Sequence, residues 1–203
     1  DELALDRSFI LDAIAAQPFA LEYADAEFRA DKKIVSVAAA IDDDAFTFAD
    51  PALKNDKYFV LDALKTSTWT GIFRNASEEL QNDKEVAMSA VKIAPINFRF
   101  AGNSLKGDRA FILEALRINQ ILLGDADENL KNDKEFMLEA AAIDPSALIY
   151  AGDRLRNDKE FVMEAAKVFP RILHCAGEGL KDDKDILREQ NKVPTDLTEL
   201  FPL

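Results

Sequence analysis

Residues 130–185 read LKNDKEFMLEAAAIDPSALIYAGDRLRNDKEFVMEAAKVFPRILHCAGEGLKDDKD, and this stretch nearly repeats itself twice. The sequence NDKEF occupies 132–136 and returns at 157–161, which is 25 residues later. An Ala follows seven places after each Asp, and an Ala-Gly pair closes each copy, at 151–152 and 176–177. Self-similarity at a fixed period of this length indicates tandem structural repeats.

The same period runs through nearly the whole chain. An Asp followed by Lys or Arg forms a periodic column of eight members, with spacings of 25, 25, 27, 25, 25, 25 and 25 residues. These are Asp6, Asp31, Asp56, Asp83, Asp108, Asp133, Asp158 and Asp183. We therefore assign 1–192 to tandem helical repeats that start near 4, 29, 54, 81, 106, 131, 156 and 181. Residues 193–203 are predicted to form a closing turn or cap.

The first half of each repeat predicts an amphipathic helix. In the sixth repeat the apolar residues lie at i, i+1, i+4 and i+5, which places them on one helical face. They are Phe136, Met137, Ala140 and Ala141. Asn132 with Glu135 three places on indicates a capping box at the start of this helix. The Asp column would then favour the first turn and its exposed N–H groups, with a row of bound cations as the alternative.

The second half of each repeat predicts a shorter helix. In four repeats it begins at a Pro, which fits the first helical position. These are Pro18, Pro95, Pro145 and Pro170. Gly102, Gly152 and Gly177 would end it as C-terminal caps. Helices this short are marginal alone, so the neighbouring repeat must cover their apolar faces. The sequence predicts an all-α fold, an α-solenoid of about eight two-helix repeats with a period of 25 residues.

Constant and variable columns separate the predicted core from the predicted surface. Leu or Phe fills one core column, at Phe46, Phe73, Phe98, Leu123, Leu148 and Leu173. Ala fills another, at Ala24, Ala49, Ala76, Ala101, Ala126, Ala151 and Ala176. The column one step past the Leu or Phe changes in every repeat but one, as Glu22, Thr47, Arg74, Arg99, Gly124, Ile149 and His174. In repeat proteins constant positions hold the stack and variable positions meet ligands.

The third repeat carries the one irregular spacing. Its sequence LKTSTWTGIF, at 64–73, has two extra residues and the only Trp of the chain, Trp69. Functional residues concentrate on such loops. The alternative is a tolerated length variant in which Trp69 packs on apolar surface.

At the N-terminus of the sequence, Phe9 and Ile10 belong to a first repeat that has no polar capping face. We therefore expect further chain before Asp1.

Composition narrows the possible classes of binding partner and the possible cellular compartments. The net charge is −13, from 38 acidic and 25 basic residues, so phosphate backbones and anionic membrane surfaces are disfavoured. No stretch of 18 uncharged apolar residues occurs, and the sequence therefore predicts no membrane span. The lone Cys175 fits a reducing compartment, which favours the cytoplasm. A secreted or host-delivered bacterial protein is the alternative.

No catalytic or metal-binding constellation is evident. His174 and Cys175 are adjacent on a helix and therefore point about 100° apart, which does not make a base and nucleophile pair. Cys175 also shares a column with aromatic residues, which suggests a packing position. The cluster Asp42, Asp43 and Asp44 lacks the spacing of a calcium loop, and we expect a solvated loop there. We therefore predict no enzyme activity, no cofactor and no metal.

The repeats resemble a known family of tandem repeats of unknown function, found in bacterial and protist proteins. Its unit is similar to L-K-N-D-K-E-V-V-L-x-A-V, followed by a loop and A-L-x-x-A. Residues 130–135 and 155–160 match it most closely. The family often has Gly between its helices, where this chain has Pro145 or Pro170. The resemblance implies a helical-repeat fold and no particular activity.

The expected function is a non-catalytic protein–protein interaction or scaffold module of a larger protein. Trp69, Arg74 and Arg99 are the candidate partner-binding residues, because Trp and Arg are enriched at binding hot spots. Two Arg one repeat apart could grip the carboxylates of an acidic segment. The alternative is a regulatory or small-ligand-binding module near the Trp69 insertion.

Overall fold

The structure is a computed structural model that describes residues 7–67 and 70–190. Within these ranges every regular element is a helix, and each complete repeat contains three of them. A long α-helix is followed by a middle helix, which is usually 3₁₀, and then by a short helix of four residues. Trp69 and the predicted closing segment 193–203 lie outside the described residues.

The helices recur in the same order along the chain. The long helices are Arg7–Ala16, Lys32–Ile41, Lys57–Leu64, Lys84–Ile93, Arg109–Leu116, Lys134–Ile143, Lys159–Val168 and Lys184–Gln190. The middle helices are Pro18–Tyr23, Asp43–Phe48, Gly71–Asn75, Pro95–Phe100, Gln120–Asp125, Pro145–Tyr150 and Ile172–Cys175. The short helices are Ala26–Arg29, Pro51–Lys54, Glu78–Gln81, Asn103–Lys106, Glu128–Lys131, Asp153–Arg156 and Glu178–Lys181.

This arrangement confirms the predicted all-α solenoid of tandem repeats. The long helix and the middle helix are the two predicted helices of each repeat. The short helix was not predicted, because a single turn of four residues has no periodic apolar pattern to read.

The long helices begin one residue later than the capping box implied. Asp133 is the N-cap, and its carboxylate accepts a hydrogen bond of 2.8 Å from the backbone N–H of Phe136. Asn132 instead ends the preceding short helix, where its Nδ2 donates to the Glu128 carbonyl at 2.9 Å. The capping box at Asn132 and Glu135 is therefore wrong, while capping by the Asp column is confirmed. The same N-cap role is filled by Asp31, Asp56, Asp83, Asp108 and Asp158.

Three of the four predicted starts of the middle helix are confirmed, whereas its predicted ends are wrong. Pro18, Pro95 and Pro145 do begin middle helices, whereas the helix near Pro170 begins at Ile172. The assignment of C-terminal caps to glycine is wrong. Gly152 is the N-cap of the following short helix, and its φ of −68° is not the left-handed conformation of a C-cap glycine.

The predicted core columns are buried in each repeat where they occur. The Leu and Phe column, from Phe46 to Leu173, is at most 8% exposed. The Ala column from Ala24 to Ala176 is equally buried, at no more than 8%. Each buried Leu or Phe contributes about 1.5–3 kcal/mol, and Ala at the neighbouring positions lets the helices approach closely.

By proximity of their residues, the chain divides into two compact bodies, Asp1–Lys106 and Gly107–Leu203. We call them the N-terminal body and the C-terminal body. Both are built from the same three-helix repeat. None of the described helices has the length and apolar character needed to span a membrane.

Candidate interaction surface

The variable column lies on the surface at the C-terminal end of the middle helices. All seven of its members are exposed, from Glu22 to His174. The Leu or Phe before each one is buried, so the change from core to surface takes place within a single residue step. This column therefore presents a different side chain from nearly every repeat on a common backbone frame.

A side chain seven residues further along holds the backbone of this column in place. Lys106 Nζ donates to the Arg99 carbonyl at 2.7 Å, and Arg156 Nη2 donates to the Ile149 carbonyl at 2.9 Å. Gln81 Nε2 makes the equivalent bond of 2.9 Å to the Arg74 carbonyl. These donors satisfy carbonyls at the end of the middle helix, where cations are favoured.

The column next to the variable one is only partly buried. Phe48, Phe100 and Tyr150 have intermediate exposure, and Tyr23 is 80% exposed. Cys175 belongs to this column and also has intermediate exposure, so its predicted packing position is at the edge of the core rather than inside it. The variable column is consequently bordered by aromatic surface in several repeats.

Arg74 is already paired within the N-terminal body. Its Nη2 lies 2.6 Å from Oδ1 of Asp44, and the two side chains are 41% and 39% exposed. Ser67 Oγ donates to the neighbouring Asp43 at 2.7 Å. The expectation that Asp42 to Asp44 form a solvated loop is therefore wrong. This acidic segment contacts both sides of the insertion in the third repeat.

The close approach of these two segments depends on Gly71. A methyl group placed on its Cα would lie 2.3 Å from the backbone carbonyl carbon of Asp43, which is far inside van der Waals contact. Gly71 begins the middle helix of the third repeat, and Asp43 begins that of the second repeat. The absence of a side chain thus allows two middle helices to meet at their N-termini.

Arg99 occupies the same column one repeat after Arg74. It is exposed, and its guanidinium lies over the ring of Phe100 at 5.8 Å from the centroid. The helix that carries it packs against the helix that carries Arg74. Two of the three predicted partner-binding residues thus lie on middle helices that pack against each other, while Trp69 lies outside the described residues. Sequence reasoning missed Asp44, because no pattern related it to Arg74, 30 residues away.

A second charged feature links the starts of the long helices. In five places the base that follows one Asp of the column pairs with the capping Asp of the next repeat, whereas Lys134 pairs with Glu164 instead. Within the two bodies these pairs are Arg7 with Asp31, Lys32 with Asp56, Lys57 with Asp83, Arg109 with Asp133 and Lys159 with Asp183. The capping carboxylates are thus engaged by protein groups, which accounts for their regular spacing without bound cations.

The pKa values of these carboxylates follow from the pairing. The Arg7 guanidinium lowers the pKa of Asp31 to about 2, and the backbone N–H groups of Ile34 and Lys33 act in the same direction. Lys32 likewise lowers the pKa of Asp56. These carboxylates are therefore held ionised well below neutral pH.

A groove of about 850 Å³ lies beside the insertion on the N-terminal body. It runs between the long helices Lys57–Leu64 and Lys84–Ile93, and Tyr58, Ser67 and Ile93 are among its lining residues. Its charged side chains include Lys32, Asp62, Lys65, Glu85 and Lys92. Among the described residues of the whole chain, no group of three or more His, Cys, Asp or Glu is placed to hold a metal ion.

Comparison with known families identifies the repeat. The model of a domain of unknown function, DUF4116, matches residues 6–54, 56–106, 108–156, 133–181 and 158–192. The last three matches begin 25 residues apart, at 108, 133 and 158, and all matches except 158–192 span about two repeats. These matches take in most of the chain, and the protein belongs to this family. No match is found among curated proteins or among solved structures.

Proposed function

We propose that this protein is a non-catalytic protein–protein interaction module that serves as the recognition or scaffold part of a larger protein. A protein or peptide partner binds along the variable column. The observation that supports this proposal most directly is the exposure of all seven column members directly beside buried core residues. A repeat array with a constant core and a changing exposed column can alter its specificity without altering its fold.

The chemistry of the column fits a protein partner better than a catalytic role. Its members are Glu, Thr, Arg, Arg, Gly, Ile and His, which share no chemistry. Bordering aromatic rings such as Phe48 and Phe100 supply apolar contact area of the kind enriched at interfaces. The net charge of −13 disfavours nucleic acid and anionic membrane surfaces.

The test is selection of a random peptide library on the immobilised protein, followed by affinity measurements on single variants. Peptides that bind the column should lose affinity at least about fivefold with Arg99→Glu, since an interface hot spot costs more than about 1 kcal/mol. Lys33→Glu is the matched control. It makes the same charge reversal in the same body, at an exposed residue of a long helix. Circular dichroism of both variants first establishes that they are folded.

The outcome that contradicts this proposal is equal binding of the selected peptides to wild type, Arg99→Glu and a Thr47→Glu variant. Both substitutions change the column at exposed positions in the N-terminal body. If peptides are instead lost with Lys33→Glu, the long-helix face is the binding surface. In that case the assignment to the variable column is wrong.

The groove beside the insertion supports a second candidate, a regulatory or small-ligand-binding module. Its volume of about 850 Å³ is in the range of ligand pockets. It ranks second because most of its charges are already paired within the chain. Lys32 pairs with Asp56, Lys65 with Asp62 and Glu85 with Lys57. A ligand screen by thermal shift, repeated on Ser89→Trp to fill the groove, tests this candidate.

A further inference from the structure

We infer that the column surface of the N-terminal body recognises an acidic peptide through Arg74 and Arg99, and that Asp44 acts as an internal competitor for one of these two sites. This inference rests on the proposed function and adds the chemistry of the partner. It follows from what each guanidinium contacts in the structure.

The ion pair of Arg74 with Asp44 is an example, within the protein, of the contact proposed between this surface and a peptide carboxylate. The pair is held at 2.6 Å, and both side chains are about 40% exposed. A carboxylate from another molecule can therefore approach from solvent and replace Asp44. Exposed ion pairs of this kind are weak, so the exchange costs little.

Arg99 differs from Arg74, because the structure shows no ion pair between Arg99 and a described carboxylate. Its guanidinium carbon lies 5.8 Å from the centroid of the Phe100 ring, and the residue is exposed to solvent. Its own backbone carbonyl is bound by Lys106 Nζ at 2.7 Å, so a second cation lies at the same helix end. An exposed guanidinium offers a planar fork of N–H donors that matches the two oxygens of a carboxylate.

The spacing of the two Arg residues specifies the ligand. Packed helices lie about 8–10 Å apart, and these two residues occupy equivalent positions on packed helices. A peptide in the polyproline II conformation has three residues per turn and advances about 3.1 Å per residue, so side chains at i and i+3 share one face about 9 Å apart. A peptide with Glu at i and i+3 in the polyproline II conformation should therefore engage both guanidinium groups.

The net charge of the protein opposes the approach of acidic peptides in general, so recognition depends on local contacts. The net charge is −13, which repels acidic peptides at long range. At about 0.1 M salt the Debye length is about 10 Å, so only contacts near the two guanidinium groups attract the peptide strongly. Binding should thus depend on the spacing of the carboxylates and not on their number alone.

The experiment measures fluorescence anisotropy of a labelled Glu-Ser-Ser-Glu peptide against the full chain. The matched peptides are Gln-Ser-Ser-Gln and Glu-Glu-Ser-Ser, which remove the charge or change the spacing. Wild type should prefer the first peptide to both others. Asp44→Asn should tighten its binding about two- to fivefold, the range of one exposed ion pair. Arg99→Glu should weaken it by at least that factor, and Lys33→Glu should leave it unchanged.

Arg74→Gln separates this mechanism from simple charge attraction. In the wild-type background it should abolish the preference for Glu-Ser-Ser-Glu over Glu-Glu-Ser-Ser, because the peptide is then held by Arg99 alone. In the Asp44→Asn background it should cancel the gain. Equal affinity of wild type and Asp44→Asn, or equal effects of Arg99→Glu and Lys33→Glu, would overturn the inference. If the peptide library yields column-dependent binders without acidic residues, the interaction function stands and the acidic specificity is rejected.

Discussion

Gly152 lies so close to Asn132, the residue that ends the preceding short helix, that a methyl group on its Cα would be 2.3 Å from Nδ2 of that side chain. The backbone explains the approach, since the N–H of Gly152 donates to the Lys131 carbonyl at 2.7 Å. Asn132 uses the same space to accept a hydrogen bond of 3.0 Å from the N–H of Arg154. Gly102 with Asn82 and Gly177 with Asn157 repeat this relationship.

Gly152→Ala should destabilise the protein by about 1–3 kcal/mol, the usual cost of overpacking a filled site. The new methyl group displaces the Asn132 amide and disturbs its hydrogen bonds to Arg154 and Glu128. The φ of −68° at Gly152 suits any residue, so backbone strain contributes nothing. Denaturant unfolding of the full chain measures the loss.

Two variants check this account. Gly179→Ala is the control, because no atom lies within 4 Å of the position where its methyl group would be. Since Gly179 lies inside a helix, this change should stabilise by about 0.5–1 kcal/mol. Asn132→Ala should remove much of the penalty of Gly152→Ala. Strict additivity of the two changes would show that Asn132 is not what the methyl group meets.

Gly71→Ala should be more damaging than Gly152→Ala. Here the methyl group would meet backbone atoms, with the Asp43 carbonyl carbon at 2.3 Å and the Asp44 nitrogen at 2.5 Å. A side chain can rotate away, but a backbone can move only with its helix, so we expect about 3 kcal/mol or more. Unfolding experiments on both variants give the comparison. A loss at Gly71 smaller than that at Gly152 would mean that the two middle helices separate easily.

Acid should weaken the charge pairs between long helices in a defined range of pH. The pKa of Asp31 is about 2 in the folded protein, below its ordinary value of 3.8, because of Arg7. The folded state thus binds fewer protons than the unfolded state in this range. The contribution of the pair is complete above pH 3.8 and is lost as the pH falls through about 2.

Arg7→Gln should therefore flatten the decrease of unfolding free energy between pH 4 and pH 2, a range set by the two pKa values of Asp31. The flattening is partial, since the backbone N–H groups of Lys33 and Ile34 still bind Asp31. Lys33→Gln removes a nearby charge without removing this pair and should keep the wild-type slope. Parallel slopes for all three proteins would show that the pair contributes nothing measurable.

Much of the fold could be predicted from the sequence because its determinants are local and periodic. The Asp column, the Leu or Phe column and the Ala columns each repeat every 25 residues, and a fixed period translates directly into stacked helices. The short helices escaped prediction since one turn shows no period. The capping box failed because Asn132 and Asp133 are both good N-caps, and only the preceding helix decides between them.

The candidate surface was less predictable than the core. Exposure of the variable column followed from the buried columns beside it. The pairing of Arg74 with Asp44 did not, because it joins residues 30 positions apart across an irregular insertion. The steric role of Gly152 was also hidden, since the same Ala-Gly pair fits a helix end equally well. Contacts that depend on the distance between repeats require the three-dimensional structure.

Comparison of Asp133→Asn with Asp133→Ala should separate capping from charge pairing at the start of a long helix. Asp133 accepts the N–H of Phe136 at 2.8 Å, whereas its Oδ1 lies 3.8 Å from Nη1 of Arg109. Arg109 makes its shorter contact, 2.5 Å, with Glu139. The cap should therefore dominate. Asn caps helices about as well as Asp, so Asp133→Asn should cost about half a kcal/mol or less, and Asp133→Ala about 1 kcal/mol.

The same two substitutions at Asp83 should give a different ratio. Asp83 caps through Glu85 and Val86 N–H groups at 3.0 and 3.1 Å, and Lys57 Nζ lies only 2.9 Å from its Oδ2. Asp83→Asn keeps the cap but loses this closer ion pair. Its cost in unfolding free energy should therefore be a larger fraction of the cost of Asp83→Ala than is the case at Asp133. Unfolding free energies at low and high salt separate the contribution of the cap from that of the ion pair, because salt screens the ion pair much more than the hydrogen bonds of the cap. Equal ratios at Asp83 and Asp133 would mean that the column stabilises the repeats through capping alone.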